Sequence, residues 1–484
     1  MVKLNTHEIQ GLIVRGYRLL PSAQFLLLEV RDAVLARAYL QRLCSPRDDG
    51  DQVTVATATA APEDVALHVA FTRPGLEKLG VPRSAVASFA REFIEGMDDE
   101  VRARSLGDQG DNDPKHWTWG RDKPDVLLLI YAKDDATLAA CIARERATIE
   151  AGAFRVMDAK PTSRLPHQKE HFGWRDGLST PIIEGLGRPE DVAAWTFPFR
   201  AGEFVLGYKN EYEAYSESPT VDLADDPEDI LPFTMDGTAK DLGCNGTYLV
   251  YREMTQDVLK FWTYLETNAR PGSVEGAIAL GAKMVGRWPG GAPLISSPSS
   301  DDPAKSDDND FTYHDADHGG TRCPLGAHIR RSNPRDQLPS DHDREDSVEM
   351  VRKHQILRRG RPFGAPLAPS MNPRDFLATR GQPDDEVRGL HFICLVGHIG
   401  RQFEFVQRAW INSPNFAALF KDADPLIGVH RTSPHANASD EFTCPAEPLR
   451  QKYKGMPQFT RLVGGAYFFL PSMTALRFIS RDPS

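Results

Sequence analysis

The sequence is short of several features that would assign its class at sight. It has no cationic excess: 57 Lys and Arg against 68 Asp and Glu leave a net charge of −11. A nucleic-acid partner, which needs a dominant basic surface, is therefore not expected. No apolar run approaches the roughly 18 residues that a membrane span requires, so no membrane partner is expected either. The opening, Met1-Val2-Lys3-Leu4-Asn5, has no apolar signal core, and Arg15 and Arg18 are not adjacent as in a twin-arginine leader. A cytoplasmic protein is expected, or one exported only by a partner. Cysteine is scarce too. Six residues (Cys44, Cys141, Cys244, Cys323, Cys394, Cys444) are scattered without a CxxC pair, which predicts reduced, mostly buried thiols and no disulfide framework.

What is present is ordinary globular material, 40% hydrophobic and 26% charged, in a chain long enough for two domains. One local pattern recurs. The apolar run Ala23 to Val30 is followed by Arg31-Asp32-Ala33 and a helical segment to about Leu43. Asp125 to Ala132 repeats it, followed by Asp134-Asp135-Ala136 and a helix through Glu150. Thr247 to Tyr251 with Thr255 to Asn268, and Leu390 to Val396 with Ile399 to Trp410, look like further copies. Val65 to Thr72 and Phe154 to Asp158 read as strands that complete the first set. Strands feeding amphipathic helices predict antiparallel sheets with helices on one face. Four strands and two helices suggest a ferredoxin-like α+β unit, and the later copies a second one. A boundary near residue 190 fits, giving domains 1–190 and 191–484.

Three separated stretches hold residue types that suit one chemistry. In Cys323-Pro324-Leu325-Gly326-Ala327-His328, the histidine stands between a Cys-Pro turn and the cations Arg330, Arg331 and Arg335. Such a histidine is either structural or an iron ligand through one ring nitrogen, the other held by an acceptor the sequence does not name. Guanidinium groups suit propionate carboxylates, and Gly326 and Ala327 would let a flat macrocycle approach. In Gly173-Trp174-Arg175-Asp176-Gly177, the aspartate is either an ordinary Asp-Gly turn or a carboxylate that moves the proton of a bound peroxide. In Ile356-Leu357-Arg358-Arg359-Gly360-Arg361-Pro362-Phe363-Gly364, Arg358 follows an apolar pair that directs it inward, to fix that carboxylate as an anion and stabilise charge. Arg359 and Arg361 would then be surface cations. A competing pattern, His167-Gln168-Lys169-Glu170-His171, matches the inverted zinc-protease motif, which needs both histidines on one helical face. Gly173 and the Asp176-Gly177 turn end any such helix at once.

Taken together, these stretches resemble the dye-decolorizing peroxidases: a GxxDG motif at residues 173–177, a histidine segment running into Asn333-Pro334-Arg335, and the R-x-x-x-P-F-G run from Arg358 to Gly364. Ile9 to Ile13, His116 to Gly120 and Arg401 to Gln407 are similar to the longer bacterial members as well, so the resemblance spans nearly the whole chain. It implies two ferredoxin-like domains with haem b in the C-terminal one, His328 as axial ligand, Asp176 as distal acid–base, Arg358 as distal arginine and Arg335 on a propionate. Ser179, Thr180 and Phe392 are expected beside the cofactor. The activity implied is reduction of hydrogen peroxide with one-electron oxidation of a small phenolic or dye-like donor, with Trp410 and Trp262 as candidate electron routes. One departure is Val396-Gly397-His398, where long members show an Asn-Ala pair, which bears on local pocket polarity. A haem carrier or sensor on the same fold, and a zinc hydrolase using His167, Glu170 and His171, are the alternatives.

Overall fold

The computed structural model describes residues 3–45, 52–57, 64–186, 198–269, 273–338, 343–430, 435, 437–446 and 448–482. The boundary expected near residue 190 lies outside the described residues. The strands at Ser22–Val30 (β1), Val65–Phe71 (β2), Val126–Ala132 (β3) and Phe154–Pro161 (β4) pair antiparallel in the order β4-β1-β3-β2. Two helices connect them, Ala33–Cys44 and Asp135–Thr148, and each starts where the sequence sets an aspartate. Asp32 accepts from the amides of Val34 and Leu35, and Asp134 from that of Thr137 at 2.7 Å, satisfying donors that the first helical turn leaves free.

The second set repeats the order. Thr247–Gln256 (β5), Leu357–Arg358 (β6), Arg361–Phe363 (β7), Gly389–Val396 (β8) and Thr460–Leu470 (β9) run β9-β5-β8, with β6 and β7 both on β8. The two sets meet where β9 pairs with β2 at Phe469 and Phe71, making one nine-stranded sheet. Asp257 caps the helix Val258–Asn268 after β5. The helix expected from Ile399 to Trp410 is present as two consecutive π-type turns, Gly400–Glu404 and Val406–Ile411. This is the two-unit ferredoxin-like α+β fold that the repeats predict.

Every residue of β3 is buried, because both faces of the sheet are covered. One face packs Leu26, Leu128 and Val69 against the helices through Tyr39, Leu40 and Leu476. The other packs Phe25, Leu127 and Tyr251 under the opening stretch Ile9 to Tyr17 and under Phe199, Phe204 and Val205. Each fully buried aliphatic side chain contributes about 1.5–3 kcal/mol by leaving water. The expectation of helices on one face thus holds, and the second cover is non-helical. Among the described residues no helix is long and apolar enough to cross a membrane.

Candidate active site

His328 opens the short helix His328–Ser332, after a turn closed by the Ala327 amide on the Pro324 carbonyl at 3.0 Å. Its Nδ1 lies 3.0 Å from Oδ2 of Asp424. Asp424 is completely buried, and its Oδ1 accepts from the amides of Leu426 (3.0 Å) and Ile427 (2.9 Å). Burial pushes its carboxyl up, but the His328 and Arg331 charges and the Ile427 amide outweigh that and hold it below the usual carboxylate range. With Nδ1 engaged, Nε2 is the nitrogen left to act as a ligand, and a quarter of the His328 side chain is exposed. Asp424 is the acceptor that sequence reasoning could not name. It lies 96 residues away, and its one local mark is an aspartate bonding amides two and three residues on, as turn-forming aspartates do.

Arg331 joins these two segments. Fully buried, it donates to the carbonyls of Trp410 (2.7 Å), Ser413 (2.9 Å) and Asp422 (2.9 Å), and so ties the His328 helix to the strand of chain that carries Asp424. Arg330 is held by Asp317, through its carboxylate at 3.1 Å and its carbonyl at 2.8 Å. These two cations are therefore structural. Arg335, expected on a propionate, donates to the carbonyls of Asn309 (2.8 Å) and Phe311 (2.7 Å), and its guanidinium lies 3.7 Å from the Phe311 ring centre.

Asp176 sits on a loop built around another carboxylate. Half-buried Glu170 accepts from the amides of Phe172 (2.9 Å) and Trp174 (3.1 Å) and from Gln256 Nε2 (2.7 Å). Gly173, at φ +105°, makes the tight return. Asp176 Oδ1 accepts from the Gly177 amide at 2.6 Å and from Arg358 Nη1. Arg358 is delivered by β6, whose Leu357 faces the core while the guanidinium turns the opposite way. Burial raises the Asp176 carboxyl, yet Arg358 and the Gly177 amide hold it below its ordinary value, and His328 contributes to the same shift from across the site. The three residues singled out from separate stretches are thus within electrostatic reach of one another. Arg359 and Arg361 are not surface cations. Arg359 donates to the Leu12 and Ile13 carbonyls, and Arg361 to those of Gly16, Tyr17 and Leu20.

Asp176 and Arg358 line a cavity of about 1460 Å³, together with Ser179, Thr180, Asn333 and Gln355. Phe392 lines a second, small cavity with Arg252, Phe403 and Ile427, so it approaches the Asp424 loop and not the large space. The departure at Val396-Gly397-His398 is a packing junction: the Gly397 amide donates to the Glu203 carbonyl at 2.6 Å, and a Cβ there would lie 2.4 Å from the Gly202 oxygen.

The zinc reading fails on geometry. His167 has φ +57° inside a single 3-10 turn, Glu170 is used as above, and His171 bonds the Phe363 carbonyl at 2.7 Å. Among the described residues no three candidate ligands converge. Trp262 and Trp410 do not reach the surface: they are 0% and 5% exposed.

No family model matches the chain. It is 27% identical over 494 residues to a dye-decolorizing peroxidase of Mycetinis scorodonius, covering 98% of this chain and 87% of that one. It is 28% identical over 472 residues to a multifunctional dye peroxidase of Amycolatopsis sp., covering 92% and 90%. Among solved structures it resembles a dye-decolorizing peroxidase in complex with 2,6-dimethoxyphenol, at TM-score 0.76 and 25% identity over 99% of this chain and 100% of that one. A fungal peroxidase of the same type from Auricularia auricula-judae gives TM-score 0.76 at 24% identity over the same shares.

Proposed function

Since this chain belongs to the dye-decolorizing peroxidases, we propose that His328 carries the iron of a haem b and that Asp176 and Arg358 process hydrogen peroxide opposite it. The protein is a haem peroxidase that reduces peroxide and oxidises a small-molecule donor. The observation that carries the residue assignment is the presence of two fixed pairs: a histidine whose Nδ1 is held by a buried carboxylate, and, on the wall of the large cavity, a carboxylate held by an arginine.

The residues fit the group. Asp424 orients the imidazole and makes it a stronger ligand. The non-covalent b type is favoured because the chain has no CxxC pair to form thioether links. Ser179 and Thr180 on the cavity wall are the further contacts proposed for it; Phe392, on the small cavity beside the Asp424 loop, and Arg335, engaged by the Asn309 and Phe311 carbonyls, would support its surroundings from behind. When bound, a haem iron supplies the centre at which the peroxide O–O bond is cleaved and the oxidising equivalents are held.

The chain's own groups divide the proton work. Asp176 Oδ1 is occupied by Arg358 and Gly177, and no hydrogen bond to Oδ2 is found among the described residues. Oδ2 therefore takes the proton from the inner peroxide oxygen and returns it to the outer one as water leaves. Arg358 keeps the carboxylate anionic between turnovers and offsets negative charge as the bond breaks. The cavity admits a donor of the size of 2,6-dimethoxyphenol, which one structural neighbour binds, and a phenol of that kind is the donor proposed. A reducing, cytoplasmic setting is proposed from the scarcity of cysteine, six scattered residues with no CxxC pair.

The test is the absorption spectrum of the haem-loaded protein before and after one equivalent of peroxide, followed by steady-state turnover with a phenol. A changed spectrum and sustained turnover are expected. Bound haem with an unchanged spectrum and negligible turnover would make the protein a carrier or sensor.

A further inference from the structure

On the face of the sheet turned away from Arg358 lies a continuous set of buried aromatic rings that the peroxide chemistry above does not use. Tyr17 lines the large cavity. Its ring is 5.1 Å from that of Tyr131, which is 5.7 Å from Phe25, which is 6.2 Å from Tyr251 and 5.7 Å from His391. Trp119 closes the set, 4.8 Å from Tyr251. Apolar packing would account for rings alone. It does not account for the polar atoms among them.

Tyr251 is wholly buried, and its hydroxyl lies 2.9 Å from His391 Nδ1. The direction of that bond is fixed by the other side of the imidazole. His391 Nε2 lies 3.1 Å from the Pro161 carbonyl, which can only accept, so Nε2 carries the proton and Nδ1 is bare. Burial keeps this imidazole neutral, drawing its pKa down to about 4. A phenol donating to a neutral base is arranged to lose an electron and a proton together. We propose that Tyr251 is a redox-active residue of this peroxidase, surrendering one electron to the peroxide-oxidised site and its phenolic proton to His391 Nδ1. This rests on the peroxidase reading.

The balance is complete: the oxidised site gains one electron, the Tyr251 O–H bond breaks to leave a neutral phenoxyl radical, and His391 becomes an imidazolium. A donor electron and the returning proton restore the pair. The surrounding charges favour the hole at this end of the ladder. Near Tyr251 and His391 stand the carboxylates of Glu253 and Asp158, joined by the single ammonium of Lys160 at 2.9 and 2.6 Å, which leaves a net negative charge beside the imidazolium that forms. Near Tyr17 and Tyr131 stand the guanidinium groups of Arg359 and Arg361, Arg361 lying 5.2 Å from the Tyr131 ring centre. The Tyr131 hydroxyl has no hydrogen-bond partner among the described residues, so it has no base to take its proton. Tyr17 does have one, His68 Nε2 at 3.0 Å, but it sits among the cations. Tyr17 and Tyr131 are the path, and Tyr251 is where the hole rests.

The test is freeze-quench electron paramagnetic resonance of the haem-loaded protein after one equivalent of peroxide, with peroxide consumption measured in parallel. The wild type should give a tyrosyl signal that narrows when the protein is grown on ring-deuterated tyrosine. Tyr251→Phe, which keeps the ring and loses only the hydroxyl, should consume peroxide and lose that signal. His391→Gln should shorten its lifetime, and Tyr17→Phe should leave it in place. An unchanged tyrosyl signal in Tyr251→Phe would overturn the proposal while leaving the peroxidase reading intact. Absence of peroxide consumption by the wild type would instead overturn the reading on which it rests.

Discussion

The two halves of the sheet have the same strand order and differ in what lies between the strands. The first half completes its four strands between Ser22 and Pro161, with capped helices as its main regular connections. The second half stretches the same order from Thr247 to Leu470, and long insertions that mix helices with loops separate its strands. His328 comes from the insertion between β5 and β6, and Asp424 from the one between β8 and β9. Arg358 is on a two-residue edge strand, and Asp176 lies in the stretch between the halves. The ferredoxin-like order is a scaffold in both halves. The proposed chemistry resides where the scaffold is interrupted, as loops on a rigid frame allow.

The comparison breaks first at His328. His328→Ala removes the side chain proposed to ligate iron, so the variant should fail to hold pigment, with its Soret band lost at equal protein. Retained pigment with an unaltered spectrum would remove the insertion from the chemistry altogether. Asp176→Asn keeps shape and pigment but cannot shuttle a proton, and its reaction with peroxide, followed by stopped flow, should slow by about 10²–10⁴-fold. Asp424→Asn preserves the acceptor for the Leu426 and Ile427 amides and deletes the charge behind His328. Haem titration should show affinity about 10–100-fold weaker, and an unchanged affinity would demote Asp424 to a loop-fastening residue. Arg358→Leu should show itself in the pH profile. The Asp176 carboxyl sits below its ordinary value because Arg358 outweighs burial, so the favourable pairing is complete at neutral pH and is lost as pH falls through that lowered value. Without the cation, the largest influence opposing burial is gone while the Gly177 amide bond stays, and the acid limb of the peroxide rate should move to higher pH. An unmoved limb would assign it to another group.

The same contrast decides what the sequence makes legible. In the first half the signals are local. Runs such as Leu26-Leu27-Leu28 and Leu127-Leu128-Leu129 followed by an aspartate cap specify strand and helix within about a dozen residues, and propensity, burial and capping agree. The strand Thr460–Leu470 is as apolar, but a long irregular stretch precedes it and Pro471 cuts it off from its short helix, so the repeat does not announce it. In the site, Asp176, His328 and Arg358 stand out because each has a motif. Asp424 does not, because its meaning is a contact across 96 residues. The arginines mislead for a physical reason. Insertions with few ladders leave carbonyls that need donors, and Arg330, Arg331, Arg359 and Arg361 satisfy them. A run of guanidinium groups in such a region marks irregular backbone as readily as it marks an anion.

The smallest effect on turnover belongs to the scaffold, and it sharpens the contrast most. Leu128 is fully buried in the middle of β3, opposite Leu26 on one side and Val69 on the other. Leu128→Ala leaves a cavity that neighbouring strands cannot close without breaking register, so it should cost about 2–5 kcal/mol of stability, read as a lowered midpoint in denaturant. Its partners across the sheet, Leu26 and Val69, both belong to the first half. Peroxide reactivity per folded, haem-loaded molecule should therefore equal that of the parent under conditions where both are folded. A variant of unaltered stability but slowed peroxide reaction would mean that the first half tunes the site directly, and the division between scaffold and insertion would fail.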